Sequence, residues 1–200
     1  MPRRRVMRVL VVADTHIPDF AKALPASLER EAARADVILH AGDVTSPAVL
    51  DELARHAPVH VALGNNDGAA IRRWGARDVV RVDLAGVPTV LLHDTGPRLG
   101  RARRLTSKFP DARLIVYGHS HIPLVERVGG VLLLNPGSPT WKRREPFPTF
   151  AVLRIERRQV RAVLRAIVPR AKTAQRSRVR SAPVATRKTV KPLHKAVSER

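Results

Sequence analysis

Cysteine is absent from the 200 residues. That excludes disulfides, thiolate metal ligands and a cysteine nucleophile, and it fits a reducing compartment. Aromatic residues make up only 4%, so a core drawn from the 44% of hydrophobic residues must be built from Val, Leu, Ile and Ala. No apolar run approaches the roughly 18 to 20 residues of a membrane span. The start, Met1-Pro2-Arg3-Arg4-Arg5, has the charge of a secretory leader, but the apolar stretch Val9 to Ala13 is short and runs straight into Asp14 and His16. These absences predict a cytoplasmic protein with no membrane partner.

Acidic residues are also scarce, 17 against 37 Lys and Arg, which leaves a formal charge of +20. The excess is unevenly placed. Residues 170–200 hold ten bases and one acid, Glu199, for +9, while the first 169 residues carry +11. The tail has no aromatic residue and no sustained apolar period, so it cannot bury enough surface to offset the entropy of ordering. The division is a folded domain over residues 1–168 and a basic, disordered tail over 169–200, with Pro169 at the boundary. The tail is either a solubilising segment or a polycation that makes non-specific contact with nucleic acid or another polyanion. Without an aromatic group to stack on bases it predicts no sequence-specific recognition.

What is present begins with strands. Val6 to Ala13 is an apolar run broken only by Arg8, the mark of a strand buried on both faces. Phe20 to Ala35 has helical spacing, with Pro25 near its start. Val37 to His40 is the next strand, Ser46-Pro47 opens a second helix, and Val59 to Leu63 is a third strand. Three such units in a row predict parallel pairing with right-handed crossovers. Beyond residue 78 the pattern changes. Val79 to Leu84 and Val87 to Leu92 flank Ala85-Gly86 as a hairpin, Arg98 to Phe109 is helical, and Arg113 to Tyr117 is a strand. Leu124 to Arg127 and Val131 to Leu134 flank Gly129-Gly130, and Thr149 to Ile155 and Gln159 to Val168 flank Glu156-Arg157-Arg158. The first half is α/β and the second mostly β, in one continuous domain.

Chemistry-bearing residues follow these strands. Asp14-Thr15-His16, Gly42-Asp43, Gly64-Asn65-Asn66-Asp67, His93-Asp94 and Gly118-His119-Ser120-His121 each end an apolar run, where α/β sheets place their ligand sites. Four of the eight histidines lie in these segments, and the only three asparagines, Asn65, Asn66 and Asn135, lie in glycine-containing loops. Carboxylate, amide oxygen and imidazole form a hard to borderline donor set that suits Mn²⁺, Fe or Zn²⁺. The pattern reads as a two-metal hydrolytic centre. His40 is open to two readings, a support for the ligands or a strand histidine satisfied by backbone. Asp94 is either a partner orienting a ligand or a turn residue before Thr95-Gly96-Pro97, the turn being favoured. Asp67 fixes the Gly64 to Gly68 turn or supports a ligand. Arg98, Arg101, Arg103 and Arg104 are either a rim that attracts anions or a solvated helix face. His56 and His60 receive no role.

In order and spacing these segments resemble the calcineurin-like metallophosphoesterase superfamily. The replacement within the Gly-Asn-His-Asp element and the late Asn135-Pro136-Gly137-Ser138-Pro139 resemble its small bacterial and archaeal phosphodiesterase branch, whose eukaryotic relative is the retromer subunit Vps29. The resemblance spans roughly residues 7 to 156. It implies an α/β fold of two mixed β-sheets packed as a sandwich and flanked by helices. It also implies a metal-dependent phosphoesterase that acts on phosphodiesters, and some phosphomonoesters, through a hydroxide bridging two divalent ions, first of all Mn²⁺, with Fe, Zn²⁺ and Ni²⁺ as alternatives. Carried over by motif, Asp14, His16 and His121 hold one metal, Asn65, His93 and His119 hold the second, and Asp43 bridges. Asn66 stands where most of the superfamily has a histidine, and with Asp67 it is the supporting catalytic candidate. The Vps29 resemblance implies an alternative, an interaction module with little or no catalysis. The substrate is a phosphorylated small molecule or phosphodiester.

Overall fold

The computed structural model describes residues 6–168. Ten strands and four helices follow in the order β1 (Met7–Val12), α1 (Ala26–Ala32), β2 (Val37–His40), α2 (Pro47–Ala54), β3 (Val59–Val61), α3 (Ala69–Trp74), β4 (Val79–Asp83), β5 (Pro88–Leu92), α4 (Arg101–Lys108), β6 (Leu114–Val116), β7 (Leu124–Val128), β8 (Val131–Asn135), β9 (Thr149–Glu156) and β10 (Gln159–Ala166). The basic tail lies outside the described residues. Among them no helix is long and apolar enough to cross a membrane.

The strands form two mixed five-stranded sheets, ordered β10-β9-β1-β2-β3 and β4-β5-β6-β8-β7. As the strand-motif-helix units predicted, β1, β2 and β3 pair in parallel, with Val9 opposite Val37 and Ile38 opposite Val59. The chain then builds the second sheet and returns, so that β9 lies antiparallel to β1. This return sets one end of the first sheet.

Alternation along the strands assigns the layers. Val9 and Val11 join Leu39, Leu91, Leu132 and Leu153 in a core drawn from both sheets, which is the inside of the sandwich. Leu10 and Val12 point the other way, onto Leu28 of α1, Leu50 and Leu53 of α2 and Ile71 of α3. The outer face of the second sheet packs on Leu105 of α4 and on Phe109 at its C-cap. Burial on both faces explains the near-continuous apolar runs of the central strands. Removing a buried leucine such as Leu39 costs about 2–5 kcal/mol, transfer and cavity terms together.

The helix expected over Phe20 to Ala35 is shorter, running from Ala26 to Ala32 with Pro25 as its N-cap. Phe20 stays outside it because its ring stacks on Trp141, with 3.8 Å between centroids. Helix α3, only six residues long, is too short to show a period in the sequence.

Candidate metal centre

Asp14 and His16 follow β1, Asp43 follows β2, Asn65 follows β3, His93 follows β5, and His119 and His121 follow β6. All seven therefore leave carboxyl ends of parallel strands, and the face-to-face packing of the sheets brings the loops together. The loops are tied to one another by their backbones. Asp14 N–H donates to Gly42 O at 2.9 Å, His16 N–H to Asp43 O at 3.1 Å and Gly118 N–H to His93 O at 3.0 Å.

Five of these residues have left-handed backbone, Asp14 (φ 54°), His16 (42°), Asp43 (56°), His119 (69°) and His121 (62°). Non-glycine residues adopt this region at a cost, of order 1–3 kcal/mol each, that the surroundings must over-determine. Asp67 supplies much of that constraint: its Oδ2 accepts from the N–H of Asp43 at 2.9 Å and of Gly64 at 2.8 Å, and its Oδ1 from Val44 and Thr45 at 2.8 Å each. Gly64 is required by close approach, because a methyl there would overlap Asp43. A Cβ at Gly42 would come 2.8 Å from His93 Nδ1. The Asn135 to Thr140 loop braces the site, with Asn135 Nδ2 donating to Gly118 O and Ser138 Oγ to Asp14 O.

The donor atoms converge in two lobes. In one, His121 Nε2 lies 3.5 Å from Asp14 Oδ1 and 3.3 Å from His16 Nε2. In the other, Asn65 Oδ1 lies 3.0 Å from His93 Nε2 and 2.9 Å from His119 Nδ1. Between them, Asp43 Oδ2 is 3.5 Å from His16 Nε2 and 3.4 Å from His93 Nε2. Tautomers follow from the outer contacts: His93 Nδ1–H donates to Ala41 O at 2.8 Å and His121 Nδ1–H to Trp141 O at 2.7 Å. Each neutral ring then points the lone pair of Nε2 at other lone pairs, an arrangement that is favourable only around a proton or a cation. Asp14 Oδ2 is buried without a hydrogen-bond partner among the described residues. The sets Asp14, His16, His121 and Asp14, Asp43, His93 are each compact enough to share an ion. These residues fit a divalent cation of borderline hardness.

Titration behaviour follows from burial and charge. Burial raises the Asp14 carboxyl to about 7. It lowers His16 and takes His121 down to about 4. On Asp43 burial acts upward, but the hydrogen bond and charge of His93 and two donors from Asn66 outweigh it and hold the carboxyl below the ordinary range. For His93 burial acts downward, and Asp43 and Asp14 overcome it to raise the ring.

Asn66 binds Asp43 twice, through its N–H to Oδ1 at 2.8 Å and through Nδ2 to Oδ2 at 2.7 Å. It also lines a cleft of about 500 Å³ with His16, Pro18, Asp19, Phe20, Thr45 and Trp141. His40 matches neither sequence reading fully. Its Nε2 pairs with Thr15 Oγ1 at 3.0 Å, and its Nδ1 has no partner among the described residues. Asp94 is a turn residue, accepting from Gly96 N–H at 2.8 Å. Helix α4 begins at Arg101, later than the expected Arg98, and none of Arg98, Arg101, Arg103 and Arg104 lines the cleft. Arg101 Nη1 donates to Tyr117 Oη at 3.1 Å and Arg104 donates to Leu99 O at 2.6 Å, to Thr95 O at 3.1 Å and to Pro97 O. The residues the sequence did not mark are Trp141 and Phe20. Trp141 holds His121 by its carbonyl, and its ring forms the cleft wall with Phe20, at 8° between planes. No local motif announces that wall.

The model of the calcineurin-like phosphoesterase superfamily domain matches residues 7–158. A protein of Methanothermobacter thermautotrophicus named "Probable metallophosphoesterase" is 36% identical over 155 residues, covering 75% of this chain and 87% of the relative. A phosphodiesterase of Methanocaldococcus jannaschii is 23% identical over 171 residues, 79% of this chain and 99% of the relative. Among solved structures, Vps29 of Entamoeba histolytica complexed with zinc superposes with a TM-score of 0.63 at 24% identity, covering 80% of this chain and 99% of that one.

Proposed function

We take as premise that the chain belongs to the calcineurin-like phosphoesterase superfamily, and we propose from it that the protein hydrolyses phosphodiesters at a centre of two divalent cations, with Mn²⁺ the first choice. Asp14, His16 and His121 would hold one ion and Asn65, His93 and His119 the other. One observation carries this reading: Asp43 Oδ2 stands at nearly equal distance from a histidine of each lobe, 3.5 Å from His16 and 3.4 Å from His93. A shared carboxylate offsets the repulsion of two close cations. Cations bound there supply positive charge for the phosphoryl oxygens and acidify water towards neutral pH.

The chain's own residues supply orientation. Ala41 O and Trp141 O fix the rings of His93 and His121, and Asp67 fixes the Asp43 loop. Phe20 and Trp141 offer a flat apolar wall to the alcohol part of the substrate. Asn66 donates a hydrogen bond but cannot give up a proton near neutral pH, so the leaving oxygen departs without a general acid from this position. That favours diesters and acidic leaving groups over alkyl monoesters.

The test is turnover of bis(4-nitrophenyl) phosphate and 4-nitrophenyl phosphate by metal-supplemented protein. The diester should be the faster substrate, and Asp43→Asn should abolish turnover of both. A second reading is favoured by one residue, Asn66: without a general acid the fold serves as an interaction module of the Vps29 type. Absence of diester turnover with Mn²⁺, Zn²⁺, Ni²⁺ and Fe²⁺ alike would end the first reading and favour this one.

A further inference from the structure

The other end of the sandwich carries a larger concavity, about 860 Å³. It is lined by Gly86 from the β4–β5 turn, Gly130 from the β7–β8 turn and Arg158 from the β9–β10 turn. Pro88, Arg113 and Gly130, also in its lining, mark the amino ends of β5, β6 and β8. The metal loops leave the carboxyl ends, so the length of a five-residue strand, about 15 Å, separates the two sites. Arg113, Arg127, Arg158 and Arg161 line the cleft against a single acid, Asp83, which accepts from Gly86 N–H at 2.6 Å. An adjoining depression of about 270 Å³ shares Gln159 and Arg161 and adds Arg154 and Arg157 against Glu156. Arg127 is fixed by donating from Nη2 to Val160 O at 2.7 Å. Arg113, Arg158 and Arg161 form no ion pair with any described residue.

This end is built at the expense of the chain's own stability. All three hairpin turns put both central residues at positive φ, Ala85 and Gly86 at 51° and 82°, Gly129 and Gly130 at 55° and 83°, Arg157 and Arg158 at 50° and 63°. Such turns favour Asn and Gly, and two of them use glycine, while the third carries two arginines. In the β9–β10 register Arg154 and Arg161 stand directly opposite each other, a like-charge pairing that destabilises the sheet. Gly86 leaves the space that Arg158 occupies, since a Cβ there would come 2.8 Å from Arg158 Nε. Unpaired cations gathered in a concavity focus a positive field outward, and strain retained in that place marks a site.

We propose that this cleft binds a linear oligophosphate, a short chain of phosphates joined by anhydride bonds and held through its oxygens alone. Every basic residue in the lining is arginine, whose planar fork matches pairs of phosphate oxygens where a lysine offers only a point charge. The concave shape suits a compact anion better than a flat membrane. The lining has no aromatic residue on which a base could stack, so the ligand is free oligophosphate or the phosphate tail of a nucleotide.

The experiment is calorimetric titration of the full chain, with chelator present to silence the metal centre, using tripolyphosphate, ATP and an oligothymidylate. The wild type is compared with Arg113→Ser/Arg161→Ser and with the Lys/Lys double variant at the same positions. Both arginines are exposed, so neither substitution empties the core. Residues 170–200, with their ten bases, are present throughout and contribute equally. Affinity for tripolyphosphate should fall about tenfold or more in the Ser/Ser variant, the value of one charge-assisted contact, and partly in the Lys/Lys variant. Turnover of bis(4-nitrophenyl) phosphate with metal should not change. Tripolyphosphate as the tighter ligand identifies the free anion, and ATP the nucleotide tail. Equal affinity in all three proteins overturns the proposal, as does arginine-dependent binding of the oligothymidylate alone.

Discussion

At one end of the sandwich five candidate ligand residues hold left-handed backbone and four of them are buried, whereas at the other end two arginines hold the same backbone at exposed positions. The metal end is over-determined. Asp67 alone collects four backbone N–H groups there. Among the described residues the arginine end has no comparable brace beyond its hairpin ladders and the bond from Arg127 to Val160. Strain of the same kind is held in two ways. At the end where we propose cations, neighbouring loops hold the backbone, and burial, charge and hydrogen bonds together set the proton affinities. Where only an anion's charge is to be met, the side chains stay in water and local turn chemistry bears the cost.

Substitutions that relieve strain at each end should break the symmetry. His119→Gly frees the backbone at φ 69° but removes a donor, so diester turnover should fall by about 10²–10³ while unfolding in urea shifts little. Loss of turnover below tenfold would remove His119 from the centre. Asp67→Ala should cost about 3 kcal/mol in the same unfolding experiment, because four donors lose a charged acceptor at once. It should also weaken Mn²⁺ uptake, although Asp67 touches no proposed ion. Asn66→His sharpens the comparison from inside the site by adding a group able to protonate the leaving oxygen. Monoester turnover should rise by about 10², with a new descending limb in its pH profile. At the arginine end, Arg158→Gly should stabilise the domain by about 1 kcal/mol and leave turnover unchanged.

The smallest effect expected is in pH. Burial holds the Asp14 carboxyl protonated up to about 7, so in the metal-free domain its contribution to stability is fully present below its ordinary value of 3.8 and is lost as pH rises towards 7. His121, lowered by burial to about 4, contributes in the opposite sense, its share being lost as pH falls from 6.5 towards 4. Cations compete with the protons on Asp14 and on His93, whose ring is raised by Asp43 and Asp14, and not with a neutral His121. The rise in Tm on adding Mn²⁺ should therefore be larger at pH 7.5 than at pH 5.5. An equal rise at both values would mean that neither Asp14 nor His93 is a ligand.

The sequence announced the strands because both faces of each central strand are buried, leaving runs such as Val9 to Ala13 with no polar position. It announced two hairpins because Gly86 and Gly130 occupy positive φ. The seven residues that converge beyond the strands were legible as candidates because each follows such a strand. What stayed hidden depends on contacts between distant segments. Phe20 had helical spacing with Leu24 and Leu28, and only Trp141, 121 positions on, draws it away. The pairing of His40 with Thr15 requires β1 and β2 side by side in register. The arginine cleft comes from three separate turns, and nothing local says that Gly86 stands beside Arg158.

The most direct test of the central claim is anomalous diffraction from crystals grown with Mn²⁺. Two peaks are expected, one bonded to Asp14, His16 and His121, the other to Asn65, His93 and His119, with Asp43 reaching both. A single peak that does not touch Asp43, or none between these side chains, would contradict it.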